Sequence, residues 1–174
     1  KEISERVRPN ARLGRYFLSD DGKMILVEVT ERSGNESKLR YFFKNVGSGR
    51  YSEMVVDIAG KRLLNPAFSP DKKYISYICE SDIYLYDIRK GKSERLTTAG
   101  SKHIINGNST IRFDPVINMP GYKWSPDSRK IAFIRFDTEK VGVFKMINNT
   151  DSLYPRILEF QHVKPGETLP GVRL

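Results

Sequence analysis

The sequence predicts an all-β fold, a partial β-propeller of about three four-stranded antiparallel blades. Three observations predict it. A turn of the form Ser-x-Asp followed by an apolar strand occurs three times, the segments between copies read as further short strands, and no segment keeps helical periodicity over about a dozen residues.

The repeat fixes the element order. Ala67-Phe68-Ser69-Pro70-Asp71-Lys72-Lys73-Tyr74-Ile75-Ser76-Tyr77-Ile78 aligns without a gap on Lys123-Trp124-Ser125-Pro126-Asp127-Ser128-Arg129-Lys130-Ile131-Ala132-Phe133-Ile134. A weaker copy is Phe17-Leu18-Ser19-Asp20-Asp21-Gly22-Lys23-Met24-Ile25-Leu26-Val27, in which Asp20 replaces proline and Gly22 supplies turn freedom. The three serines are 50 and 56 residues apart, a blade-sized spacing. Around the second copy, Leu63 to Phe68, Tyr74 to Cys79, Ile83 to Ile88 and Glu94 to Thr97 form a meander, punctuated by Ser81-Asp82 and Arg89-Lys90-Gly91-Lys92. The first copy continues through Leu39 to Lys44 and Met54 to Ile58, the third through Val141 to Ile147 and Arg156 to Phe160. The expected division is a first blade over 1–60, a second over 61–98, a connecting loop over 99–122, and a third blade with the start of the next strand over 123–174.

Composition places the chain among folded proteins: 174 residues, 39% hydrophobic and 11% aromatic, suffice for a sizeable core. The net charge of +9 is spread over turns and strand edges, as in Lys72-Lys73, Arg89-Lys90 and Arg129-Lys130, so no nucleic-acid partner is expected. No run is apolar enough for a membrane span, and KEISERVRPN has no apolar signal core. The protein is therefore expected to be cytosolic or to have lost a targeting segment, and GVRL at the end reads as the first residues of a strand in an excised piece of a longer protein. Three blades do not close a ring, so exposed blade faces and self-association are expected.

Catalytic chemistry is not visible in the residues. No G-x-S-x-G occurs: Gly47-Ser48-Gly49 has the wrong spacing and Ala99-Gly100-Ser101 lacks the following glycine. His103 and His162 are separated from each other and from the single Cys79, which gives no metal-ligand spacing, and phosphate-cradling motifs are missing, so neither metal nor cofactor is expected. Cys79 reads as a core thiol, and Tyr41-Phe42-Phe43 with Tyr84 and Tyr86 read as blade core rather than stacking platforms. Asn35-Glu36-Ser37, Asn108-Ser109-Thr110 and Asn148-Asn149-Thr150 fit the glycosylation pattern.

The Ser-Pro-Asp unit is shared by several propeller families, including the TolB-like one. The third unit goes further: Gly121-Tyr122-Lys123-Trp124-Ser125-Pro126-Asp127, then Phe136-Asp137-Thr138, Val141-Gly142 and Ile147-Asn148-Asn149-Thr150-Asp151-Ser152-Leu153-Tyr154-Pro155 closely resemble the N-terminal propeller of dipeptidyl peptidase IV-type serine peptidases of the prolyl oligopeptidase clan, especially bacterial ones. Lys164-Pro165-Gly166, Val172-Arg173, Asp82-Ile83-Tyr84-Leu85 and Ile105-Asn106-Gly107 also fit. The resemblance implies a periplasmic or extracellular protein whose propeller sits over its own α/β-hydrolase domain carrying a Ser-Asp-His triad, with peptide substrates shortened by dipeptides, often after proline.

In that family two adjacent glutamates between the Asn-Gly and the Trp-Ser-Pro grip the substrate's free ammonium, because paired carboxylates in a partly desolvated pocket favour a cation. Here the corresponding segment is Asn108-Ser109-Thr110-Ile111-Arg112-Phe113-Asp114-Pro115-Val116, without a glutamate pair. Asp114 falls nearest the first glutamate and Pro115 the second, which makes Asp114 the candidate substrate-binding residue; the alternative is that it starts a turn before Pro115. Two functions are therefore expected to compete: the non-catalytic propeller of a dipeptidyl peptidase-like exopeptidase, and a TolB-like propeller that binds a protein partner without catalysis.

Overall fold

A computed structural model describes residues 11–34, 36–56, 61–108, 120–150 and 153–174. The fold is all-β, a partial β-propeller. Its first four-stranded antiparallel sheet runs in sequence order through β1 (Ala11–Leu18), β2 (Met24–Ser33), β3 (Glu36–Asn45) and β4 (Tyr51–Met54). Its second repeats that order in β5 (Leu64–Phe68), β6 (Tyr74–Cys79), β7 (Asp82–Asp87) and β8 (Lys92–Arg95). Each sheet is a meander because short turns permit only antiparallel neighbours.

Alternation explains the core. Along β2, Met24, Leu26 and Glu28 pair with Asn45, Phe43 and Tyr41 of β3, and this face packs with Met54, Leu63, Phe68, Ile75, Tyr77 and Tyr86 into one buried cluster spanning both sheets. Tyr41, Phe43, Tyr77 and Tyr86 are buried, and Tyr84 stacks on Tyr77 with ring centroids 5.4 Å apart, so these aromatics are core. The fourth strand of the first sheet lies at Tyr51–Met54, ahead of the expected Met54 to Ile58, because β3 pairs Tyr41 with Met54 and Lys44 with Tyr51.

In the last third the pairing spreads over smaller sheets. The expected strand from Ile131 to Phe136 is interrupted at Ile134, giving β11 (Ile131–Phe133), paired with β10 (Tyr122–Trp124), and β12 (Arg135–Asp137), which lies between β9 (Ile104–Asn106) and β15 (Gly171–Arg173). The break arises because the Ile134 N–H donates to the Gly121 carbonyl while its own carbonyl accepts from Gly107 N–H, both at 2.8 Å. A hairpin of β13 (Val143–Asn148) and β14 (Arg156–Gln161) completes the described fold.

All three Ser-x-Asp turns share one geometry. The serine hydroxyl donates to the aspartate two residues on, at 2.9 Å for Ser19–Asp21, 2.8 Å for Ser69–Asp71 and 2.6 Å for Ser125–Asp127. The same hydroxyl oxygen accepts from the N–H five residues on, Met24, Tyr74 or Lys130, at 2.9 to 3.0 Å. The fourth turn residue is left-handed in every copy, with φ of 68° at Gly22, 60° at Lys72 and 60° at Ser128. Glycine takes that conformation freely; lysine and serine take it at a cost.

These fourth residues join neighbouring turns. Lys72 Nζ pairs with the Asp21 carboxylate of the first turn, and Ser128 Oγ accepts from the Asp71 N–H of the second at 2.9 Å. Lys72 is thus not the freely solvated surface charge its place at an element end suggested.

Candidate substrate-binding site

Asp114, the sequence-predicted substrate residue, lies outside the described residues. What surrounds it in sequence is well defined, since the chain enters the segment at Asn108 and leaves it at Pro120, and these two form an antiparallel bridge. One step below the bridge, Gly121 N–H donates to the Gly107 carbonyl at 2.9 Å. Gly107 is required there. Its φ is 72°, and a Cβ would stand 2.8 Å from Ile83 Cδ1.

A buried carboxylate holds this neck. Asp82 begins β7 immediately after a two-residue turn whose Glu80 and Ser81 both have positive φ, which sends the side chain inward to full burial. It accepts from Thr97 Oγ1 at 2.6 Å, Asn106 Nδ2 at 2.9 Å, Gly100 N–H at 3.0 Å and Arg95 Nε at 3.1 Å, and is ion-paired with the same guanidinium through Nη2. Asn106 also donates its N–H to the Ser81 carbonyl at 2.9 Å. This one side chain thereby ties the second sheet to the entry of the 109–119 segment. Sequence reasoning read Ser81-Asp82 as a turn and Asp82-Ile83-Tyr84-Leu85 as part of the family resemblance, with no buried role for the acid; an acid wedged between the apolar runs at Cys79 and Ile83 was the available signal.

The exit strand is anchored to the second sheet as well. Trp124 Nε1 donates to Ser76 Oγ at 2.8 Å, and the Tyr122 hydroxyl donates to the Ser76 carbonyl at 3.1 Å. Burial pushes the Tyr122 phenol up, so it stays a donor at neutral pH. A second buried acid, Glu28, has a scaffolding role. Arg15 at 2.9 Å and Arg62 at 3.0 Å hold it, and Arg62 thereby fastens the start of the second sheet to the first.

The remaining candidates stay apart from one another. Ser101 Oγ accepts backbone N–H groups from His103 at 3.2 Å and Ile104 at 3.0 Å, a turn role, while the His103 ring contacts Gln161 Nε2 at 3.1 Å. His162 is exposed beside Phe144 and Phe160. Cys79 is buried, and desolvation pushes its thiol up and away from nucleophilic use. Among the described residues no three His, Cys, Asp or Glu side chains gather as metal ligands, and no helix is long and apolar enough to cross a membrane.

Repeated antiparallel four-stranded sheets in sequence order define a propeller-type fold. The sequence profile described as the dipeptidyl peptidase IV (DPP IV) N-terminal region matches residues 19–174, and the chain belongs to that family. It is 28% identical to a putative dipeptidyl aminopeptidase of Schizosaccharomyces pombe, over 91% of this chain and 21% of that protein. It is 26% identical to the inactive dipeptidyl peptidase 10 of Rattus norvegicus, over 92% of this chain and 21% of that protein. The chain thus spans about a fifth of the length of the curated relatives it matches. The crystal structure of Porphyromonas gingivalis dipeptidyl peptidase 4 shares the fold, with a TM-score of 0.73 at 23% identity, covering 97% of this chain and 24% of that one.

Proposed function

We propose that this chain is the non-catalytic propeller region of a dipeptidyl peptidase-like serine exopeptidase, gating and positioning peptide substrates for an α/β-hydrolase domain outside these residues. The observation that carries the reading is the family match over residues 19–174. The neck supports it. Asp82, Asn106 and Gly107 order the entry to the segment where the family's ammonium clamp belongs, and ordered supports are what a substrate-measuring residue needs. Asp114 is the proposed remnant of that clamp, with one carboxylate where the family has two. The peptidase reading carries with it a periplasmic or extracellular location. Self-association is proposed as well, since Val143, Ile147 and Ile157 leave an apolar face of the β13–β14 hairpin exposed.

A protein-binding propeller without catalysis is the second reading, and one observation favours it: a relative matched over 92% of this chain bears a name that declares it inactive. The polypeptide that carries these residues distinguishes the two. A G-x-S-x-G on a strand-to-helix turn after Leu174, followed by Asp and His, is expected for the peptidase. A polypeptide whose complete reading frame lacks it supports the binding module.

A further inference from the structure

The second residues of the three Ser-x-Asp turns, Asp20, Pro70 and Pro126, line a single cavity of ≈ 360 Å³. Phe68 and Trp124, each directly before its serine, form the aromatic wall, and Lys123 completes the charged lining. The volume falls in the range of small-ligand sites. At this position the first turn departs from the other two: Asp20 stands where they have proline, and its carboxylate is the only acid among the described residues of the lining. Lys123 is the only base among those residues. Both are exposed, and among the described residues neither is ion-paired. The wall is already ordered, because Trp124 Nε1 is bonded to Ser76 Oγ at 2.8 Å and the indole stacks on Tyr74 at 6.4 Å.

One carboxylate, one ammonium and a rigid apolar wall are complementary to a small zwitterion with an apolar side chain. We propose that this cavity binds a short peptide of dipeptide size with both termini free. Asp20 takes its ammonium, Lys123 its carboxylate, and the rings of Phe68 and Trp124 with the two prolines take its side chain. The inference rests on the reading that this propeller receives peptides, and names a site built from residues outside the 109–119 segment.

Trp124 is the only tryptophan of the chain, so its emission reports on this cavity. Titration of the 174-residue chain with alanyl-proline is expected to give a saturable change in emission, and N-acetylation or C-terminal amidation of the peptide is expected to weaken binding about fivefold each. Asp20→Pro gives the first turn the residue its two relatives carry; it is expected to keep the fold by circular dichroism, to lose the same factor with the free dipeptide, and to lose nothing further with the acetylated one. If Asp20→Pro fails to fold, Asp20→Asn carries the same comparison. No saturable change, equal binding of the free and blocked peptides, or an unaltered Asp20 variant overturns the proposal. Hydrolysis is not read in this experiment. Dipeptide binding without peptidase activity in the longer protein would contradict only the functional reading, and activity without dipeptide binding would contradict only this site.

Discussion

The backbone N–H of Asp71 donates to Ser128 Oγ over 2.9 Å, and so joins two turns whose contacting residues lie 57 apart in sequence. Lys72 does the same office for the turn before it, reaching Asp21. In the second and third turns the residue that suffers left-handed strain is the one that hooks the preceding turn, so glycine, locally the better residue, would give up a contact between repeats. Gly22, in the first turn, has no side chain with which to reach back.

Ser128 therefore balances two opposed terms. Ser128→Ala removes the acceptor and keeps the strained φ, and is expected to lose about 1 kcal/mol. Ser128→Gly removes both, and is expected to be more stable than the alanine variant by about 1 kcal/mol. In both variants amide exchange at Asp71 is expected to accelerate toward that of Asp127, the equivalent position in the third turn. Denaturant unfolding and hydrogen exchange check this; unchanged protection at Asp71 would contradict the hook.

Lys72 holds the Asp21 carboxyl down at about 2 from an ordinary 3.8. A folded-state value below the unfolded one means that the pair's contribution is complete above about pH 3.8 and is lost as the pH falls toward 2. Carboxyl titration followed by NMR should place Asp21 near 2 in the native chain and return it to the ordinary range in Lys72→Met. An Asp21 midpoint near 4 in the native chain would contradict the ion pair.

Turn serines should differ by burial. Ser69 is 1% exposed, whereas Ser125 is half-buried, yet the two make matching bonds. Ser69→Ala leaves the Tyr74 N–H without its acceptor away from water and is expected to cost about 2 kcal/mol, against about 1 kcal/mol for Ser125→Ala, where water can substitute. Equal costs in denaturant unfolding would show that burial does not set the penalty.

Asp82→Ala removes a buried carboxylate and strands Asn106 Nδ2, Thr97 Oγ1 and Gly100 N–H. The expected loss is about 3 kcal/mol, about 1 kcal/mol for each of the three stranded donors. Hydrogen exchange at Asn106 and Gly107 should rise more than at β2 and β3, because the neck depends on this carboxylate and the first sheet does not. Uniform loosening across both sheets would contradict a local role.

The repeat and its apolar strands were legible because turn chemistry and alternation are local: Ser69-Pro70-Asp71 and Ser125-Pro126-Asp127 announce the same turn wherever they occur. β6, β8 and β14 fall within a few residues of their expected limits, and GVRL supplies β15. The interruption at Ile134 was not legible, since it arises from bonds to Gly107 and Gly121, which are distant in sequence. The same holds for Asp82, whose five donor atoms come from four residues, Arg95, Thr97, Gly100 and Asn106. Asp20 was visible as the departure from the Ser-Pro-Asp pattern, but only the convergence of three turns makes that departure a property of a cavity.

The central claim is that this propeller serves a peptidase that reads a free peptide N-terminus. Its most direct test is cleavage of a glycyl-prolyl chromogenic amide, with its amino group free or acetylated, by the full-length protein that carries these residues. The account predicts that the free substrate is cleaved and the acetylated one is not, with a raised KM and little change in kcat in Asp114→Asn. Absence of cleavage, equal cleavage of both substrates, or an unchanged KM in that variant would contradict it.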